Sequence, residues 1–596
     1  MTTTQPRHGT RSSDELTHRQ IVTILIGLMS GMFLAALDQN VVGTAMKTIA
    51  DELHGLDQQV WVTTAYLITS TITTPIYGKL SDLYGRKKFF LTAISIFILG
   101  SLLCSFAGSM YTLAIFRAIQ GLGAGGLFSL ALAITGDIVP PRERAKYQGY
   151  FLAVFGTSSV LGPIIGGFFA QAPTIIGITG WRWVFLVNVP VGIFALIAVT
   201  LTLHLHHHKR EAVIDWFGAA TLIIGVVPLL LVAEQGQTWG WLSTGAIACY
   251  AIGVVGLAAF VWVESRLGDN ALIPLRIFRN RAIVISLGGG LVVGAGMFGG
   301  MITLPQYLQI VHGSTPTMSG VQLLPMVLGM MFASVLSGQL MSRTGQVRIF
   351  PIIGVGLMAL TMFLFSRIGA DTPWWQLIVL MTMFGLGLGN TMQPLTLIVQ
   401  ASVAPRDIGM ATSSATFFRQ MGGTLGVAVF LSLLFNTLGN NIKNAFLDAA
   451  KTPQFLAAMR DPNVLANPVN ATFVKALASG DTSSLGAVSS DSSIIGKLDP
   501  VLAHPFKVGF SQSMDLVFLV GGIVCAAGLV VLLFLPKITL SSKSASAQLK
   551  AEARKHTVRD DLTDAASWEA GGHTLDELRT DEDEGDESTT ALAGLH

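Results

Sequence analysis

The sequence predicts an all-α protein that crosses a membrane many times. Three observations carry this. Of its 596 residues, 51% are hydrophobic and only 12% are charged, whereas a water-soluble domain carries about 25% charged side chains. The apolar residues gather in runs long enough to span a bilayer, which takes about 20 residues as a helix. Short polar loops separate the runs, and their basic residues are unevenly shared between alternate loops. A net charge of +2 gives no basis for a nucleic-acid partner. Cys104, Cys249 and Cys525 fall inside apolar runs, without the spacing of a disulfide or metal framework.

Fourteen runs qualify as spans: 21–46, 59–79, 89–109, 111–137, 146–170, 183–203, 216–234, 243–265, 282–310, 318–341, 349–368, 375–400, 408–435 and 512–536. The pair 216–234 and 243–265 is the least regular, being short or broken by Pro228 and Gly236. Residues 1–20 are polar and no cleavable signal pattern follows, so the first run is expected to stay as a helix. An even count puts both termini on one side. That side holds Arg7, Arg11, Arg19, Lys79, Arg86, Lys87, Lys88, Arg142, Arg144, Lys146, Lys209, Arg210, Arg266, Arg276, Arg279, Arg281, Arg343, Arg348 and Arg406. The short loops opposite hold Lys47, Arg182 and Arg367. The positive-inside rule therefore places both termini in the cytoplasm.

The chain repeats itself weakly. Gly338 and Gly345 keep the spacing of Gly78 and Gly85, and Pro405-Arg406-Asp407 echoes Pro141-Arg142-Glu143. Both echoes fall on inside loops. They predict two six-helix halves, 21–203 and 282–536, around an insert, 204–281, that holds two helices. Parallel halves with a midplane site between them are a transporter plan. The second half includes a long outside segment, 436–511, for which short helices are one expectation; it shows no readable pattern beyond a glycosylation-type triplet, Asn470-Ala471-Thr472. Residues 1–20 form a cytoplasmic tail. Residues 537–596 are polar and acidic, ending in the run Asp581–Glu587, and are expected to be disordered. His204, His206, His207 and His208 read as a solvated loop, with a metal cluster as the alternative.

The loop Gly78-Lys79-Leu80-Ser81-Asp82-Leu83-Tyr84-Gly85-Arg86-Lys87-Lys88 joins two apolar runs. Its glycines let helix ends approach. Asp82 is expected near the start of the next helix, where the dipole favours negative charge. Arg86, Lys87 and Lys88 are expected to face water and anionic lipid heads; an ordinary basic inside loop is the alternative. This stretch resembles the loop signature of the major facilitator superfamily, G-x-L-x-D-x-x-G-R-K. Gly78, Leu80, Asp82, Gly85, Arg86 and Lys87 match, while Leu83 replaces a usual basic residue. In the fourth run, Leu113, Arg117, Gln120, Gly121 and Gly123 resemble that superfamily's L-x-x-x-R-x-x-Q-G-x-G. Gly121-x-Gly123-x-x-Gly126 also fits a dinucleotide fingerprint, but no strand precedes it, so helix packing through small residues is the better account.

Gly162-Pro163-Ile164-Ile165-Gly166-Gly167 resembles the antiporter signature of the superfamily, a kink and close-packing site, with a plain packing kink as the alternative. Leu37-Asp38-Gln39-Asn40-Val41-Val42, Trp181 through Pro190, Pro274 through Phe278 and Arg419-Gln420-Met421-Gly422-Gly423 resemble the fourteen-helix drug:proton antiporter branch. Asn40 departs from the branch's usual Thr. The resemblance covers 20–435 and the last helix. It implies a major facilitator fold in the plasma membrane, whose partners are protons, a small lipophilic and often cationic substrate, and membrane lipids.

Charges inside a bilayer are functional candidates. Asp38, Arg117 and Arg419 lie deep. Counting 1.5 Å per residue, Asp38 is about 12 Å and Arg117 about 9 Å from the outer ends of their runs, so the two are expected to face each other. A fixed structural ion pair is one outcome. The other is a carboxylate that takes and gives a proton as desolvation and Arg117 act on it in alternating states, with Arg419 lining the opposite half. Asp82 is expected to lock the inner gate. Phe33, Met32, Met297, Phe298, Met330, Met331, Gln306 and Gln393 are candidate cavity liners or simply packing residues. The alternatives to a drug exporter are an exporter of one endogenous lipid, peptide or secondary metabolite, and a receptor or scaffold that kept the fold. An enzyme is disfavoured: no nucleotide-binding loop, no H-E-x-x-H and no cofactor motif occurs.

Overall fold

The structure is a computed structural model. It describes residues 18–55, 58–203, 215–478, 495, 497–538 and 540. Residues 1–17, the histidines at 204–208 and the acidic tail from 541 lie outside the described residues.

Helices dominate because a chain in lipid must satisfy its own backbone groups. The first group is α1 (His18–Glu52), α2 (Gln59–Tyr84), α3 (Arg86–Ser105), α4 (Met110–Ile138), α5 (Pro141–Gln171), α6 (Trp183–Leu186) and α7 (Asn188–Thr202). A small hairpin, β1 (Thr174–Ile175) with β2 (Ile178–Thr179), precedes α6. Two further helices, α8 (Trp216–Trp239) and α9 (Thr244–Leu267), pack on each other, and α8 also packs on α2. The second group is α10 (Arg281–Ile310), α11 (Pro316–Gln322), α12 (Leu324–Thr344), α13 (Ile349–Phe365), α14 (Trp374–Ala401), α15 (Ile408–Ala449), α16 (Pro453–Ala458), α17 (Pro462–Leu465), α18 (Pro468–Ala478) and α19 (Pro500–Leu533).

Among the described residues, twelve helices are long and apolar enough to cross a membrane. Of the fourteen expected runs, those in α2 and α13 fall outside this set. Thr and Ser residues dilute the apolar character of α2, and α13 has only 17 residues. Several helices outrun their apolar stretches. The first continues to Glu52 instead of 46, α15 to Ala449 instead of 435, and α19 begins at Pro500 instead of 512. Helical hydrogen bonds do not stop at the lipid boundary when a neighbour supports them.

The packing repeats. α1 lies on α5, α2 on α4, α3 on α4, α1 on α7 and α3 on α7. The same set recurs as α10 on α15, α12 on α14, α13 on α14, α10 on α19 and α13 on α19. The two groups meet through α2 with α15 and α5 with α12. Lipid tails give no hydrophobic drive between helices, so close contact of small residues matters. A Cβ on Gly123 of α4 would lie 2.6 Å from Ala93 O and Phe97 N of α3, and one on Gly121 would lie 2.6 Å from Tyr66 O of α2.

In the described part of the segment after 435, residues 436–478 and 497–511, short helices form between the extended ends of two long ones. α15 and α19 run on together, with Asn441 Nδ2 bonded to Ser513 Oγ at 2.9 Å. Phe446 and Phe506 pack at 4.7 Å, and Phe455 and Phe473 complete a knob with α16 and α18. Asn470 is buried here, its amide donating to Val464 O at 2.9 Å. The glycosylation reading of this residue is therefore overturned: its nitrogen is already used inside the fold.

Candidate functional site

One carboxylate gathers five helices of the first group. Asp38 on α1 has no exposed surface. Its Oδ2 accepts from Arg117 NH1 on α4 at 2.5 Å. Its Oδ1 accepts from Gln120 Nε2 on α4 at 2.9 Å and from Asn188 Nδ2 on α7 at 2.6 Å. Gln120 also donates to Ser101 Oγ on α3 at 2.6 Å and accepts from Arg117 NH1 at 2.7 Å. The Arg117 guanidinium lies 3.9 Å from the centre of the Tyr66 ring on α2. A buried ion pair offsets its desolvation only when further hydrogen bonds complete it, and these do so here. The pairing of Asp38 with Arg117 matches the depth argument from sequence. Close helix contacts wall the pair in: Gly121 and Gly123 bring α4 onto α2 and α3, and Gly162 and Gly166 press α5 onto Asn40 and Val41 of α1.

The loop signature is arranged otherwise than its order suggests. Helix α2 runs through Gly78 to Tyr84, and α3 starts at Arg86, so Gly85 alone joins them at φ 105°. Only glycine adopts that angle without strain. Asp82 thus closes α2 and is not at the start of α3. Its Oδ2 accepts from Met410 N, in the first turn of α15, at 2.8 Å. The dipole argument holds, but for the helix of the other group. Gly78 lets this happen by lying flat against Ser413 and Gly409. Arg86 does not face water. It is buried between Asp82 and Asp137, donating to Asp137 Oδ2 at 2.7 Å. The two carboxylates flanking it offset the cost of taking its charge out of water. Lys87 caps Thr200 O on α7 at 2.7 Å. Asp82 lies beyond the apolar stretch 59–79, and burial pushes its carboxyl up to about 6 against the pull of Arg86.

Residues that looked like mere topology signals complete this basic end. Arg142 at the start of α5 donates to Ser342 O at 2.7 Å and to Arg343 O, the free carbonyls closing α12. Ser342 stands where the repeat would place a second Asp82. The two contacts are therefore pseudo-equivalent with polarity reversed: an acid on a helix start, an arginine on a helix end. Arg144, buried, donates to Gln400 Oε1 of α14 and to Val139 O at 2.9 Å. Gln400 Nε2 reaches Thr412 Oγ1 at 2.9 Å. The basic end is shut by these three contacts.

Arg419 is not brought to Asp38. It stands on α15, and its NH1 reaches Thr396 Oγ1 of α14 at 3.5 Å. α5 runs unbroken through Gly162 and Pro163, and Pro163 rests on Gly320 of α11. Gly167 faces Thr317 of α11. Of the candidate liners, Met32, Met297 and Met330 are packed in helix cores. Phe33 lines an apolar groove of about 360 Å³ with Ile26, Met29, Ser30, Val154, Val191 and Phe194. Glu234 on α8 and Asp515 on α19 are further carboxylates inside helices, beyond the three deep charges named from the sequence. Asn188 and Gln120 are neutral, and an uncharged amide in an apolar run gives no sign of its role in the sequence.

Residues 28–427 match the family model described as Major Facilitator Superfamily. The chain is 35% identical over 537 residues to the multidrug transporter protein MdtP of Bacillus subtilis (strain 168), covering 89% of this chain and 96% of that protein. It is 36% identical over 441 residues to multidrug resistance protein 3 of the same organism, covering 73% and 84%. Among solved structures, the proton:xylose symporter XylE aligns with a TM-score of 0.52 at 15% identity, covering 89% of this chain and 100% of that one, a likeness of fold.

Proposed function

This chain belongs to the major facilitator superfamily, and from that premise we propose that it exports lipophilic drugs or toxic compounds in exchange for protons. The names of its relatives, multidrug transporter and multidrug resistance protein, support export. In this reading α2 and α13 join the twelve apolar helices as spans, making fourteen. Both termini are cytoplasmic, the membrane is the plasma membrane, and the basic end faces inward. The groups α1–α7 and α10–α19 rock about the site between them.

The observation that carries the proton-coupling reading is the Asp38 network. With the basic end shut, Asp38 is an ionised acceptor held by three donors. A proton arriving on it removes the charge that Arg117 balances, and the new O–H needs an acceptor. Among the described residues, Asn188 Oδ1 is buried with no hydrogen-bond partner. Turning its amide over presents that oxygen to the acid. The network thus has two hydrogen-bond arrangements, one per protonation state, and each suits a different packing of α1 against α4 and α7. A proton entering from outside and leaving inside supplies about 2.3 kcal/mol per 100 mV of membrane potential.

The test is Asp38→Asn in inside-out vesicles given and then denied a pH gradient. Gradient-driven dye accumulation should vanish while the protein stays in the membrane. Accumulation like that of the unaltered chain removes Asp38 from the coupling.

A further inference from the structure

Arg419 differs from the other arginines buried in the bundle. Arg117 faces Asp38, Arg86 faces Asp82 and Asp137, and Arg144 gives its N–H groups to oxygens of Gln400, Gly136 and Val139. Among the described residues, Arg419 makes one hydrogen bond, the 3.5 Å contact to Thr396, and no carboxylate lies against it. It stands about 16 Å along α15 from Ile408 at 1.5 Å per residue, near the middle of a hydrocarbon layer about 30 Å thick. Part of its side chain remains accessible. The next residue, Gln420, bonds Thr74 of α2 at 3.3 Å, so Arg419 stands at the seam between the two helix groups. Gln393, one turn before Thr396 on the same face of α14, is buried, and its carbonyl oxygen has no partner among the described residues.

A guanidinium at this depth is costly unless a negative group meets it. Its planar fork suits a carboxylate through two parallel bonds. Asp38, by contrast, has no exposed surface and already accepts from three donors, so it presents no face to a cationic ligand in this state. We propose that Arg419 is the docking point for an anionic group, a carboxylate or ionised enol, on the exported compound. This deepens the exporter reading and rests on it. It places acids and zwitterions, not cations alone, among the compounds carried.

The test compares a rhodamine bearing a free carboxylate with its methyl ester, in inside-out vesicles of the full chain. Arg419→Gln should raise KM for the acid about tenfold or more, the loss of a hydrogen-bonded charged contact, and leave the ester within about twofold. Arg419→Lys, which keeps the charge but not the fork, should retain part of the preference and serves if the Gln variant fails to insert. Equal loss for both dyes in a variant that melts like the parent overturns the proposal in favour of a structural arginine. So does an unchanged KM for the acid in either variant. A parent chain that carries the ester and not the acid overturns the anion site and leaves export standing. A parent chain that carries neither removes the export reading, and the anion site with it.

Discussion

Asn188 donates to Asp38 Oδ1 at 2.6 Å from 150 residues further along the chain, while its own carbonyl oxygen meets no partner among the described residues. The amide is therefore half-used where a titrating group would need a spare acceptor. Asn188→Leu removes both the donor and the spare oxygen while keeping the branching of the side chain. A hydrogen bond to a charged group contributes about 1.5–3 kcal/mol, so proton-driven efflux should fall about tenfold or more in transport assays, with unchanged protein in the membrane. Asn188→Gln should keep part of the rate. Full activity in the Leu variant would mean that the amide only fills space.

The two reversed locks should be separable. Spin labels at Tyr84 and Thr344, both exposed at the ends of α2 and α12, report the width of the basic end by electron–electron distance measurement. Asp82→Ala removes the acceptor that holds Met410 N, and Arg142→Ala removes the cap on α12. Each should move the population toward longer distances by a factor of about 5–150, the usual range of a coupling between states. A double variant no more open than either single one would mean the locks act as a unit.

Acidity should act on only one of them. Burial lifts Asp82 to about 6 in the closed end, and water restores the ordinary carboxylate value when the end opens. The closed state then binds more protons between about pH 4 and 6, so acidification through that window favours closure. The same spin-label pair should show shorter distances as pH falls, and Asp82→Asn should flatten the response.

Gly123→Val tests the packing that surrounds the site. Its Cβ would meet backbone atoms of α3 at 2.6 Å, where nothing flexible can yield. Overpacking of this kind costs about 1–3 kcal/mol or more. The melting temperature in detergent should drop and the yield of folded protein with it; a parent-like melting curve would mean that α3 and α4 can separate freely.

What could be read from the sequence followed charge and spacing. Asp38 and Arg117 stand out because ionised groups are rare in apolar runs, and counting residues sets them at one depth. The signature around Gly78 and Gly85 is equally plain. What it touches is not: the partner of Asp82 lies 328 residues away, and no local pattern names Met410. Arg142 and Arg144 read as ordinary basic loop residues because the topology rule already explains them. Gln120, Asn188 and Gln400 are neutral, and an amide in an apolar run carries no signal until its neighbours are placed. The knob beyond 435 escaped because its helices are polar on one side and lean on each other, so neither a spanning run nor a loop composition describes them.

Helix α15 is one unbroken rod of 42 residues, about 63 Å from end to end. Met410 sits at its foot, Arg419 partway up, and Phe446 in the mass at its crown. A lean of about 10° at the foot would sweep the crown sideways by about 11 Å. Whatever the interior of the bundle does is therefore broadcast, magnified, to the far surface, where a probe can watch it without ever entering the membrane.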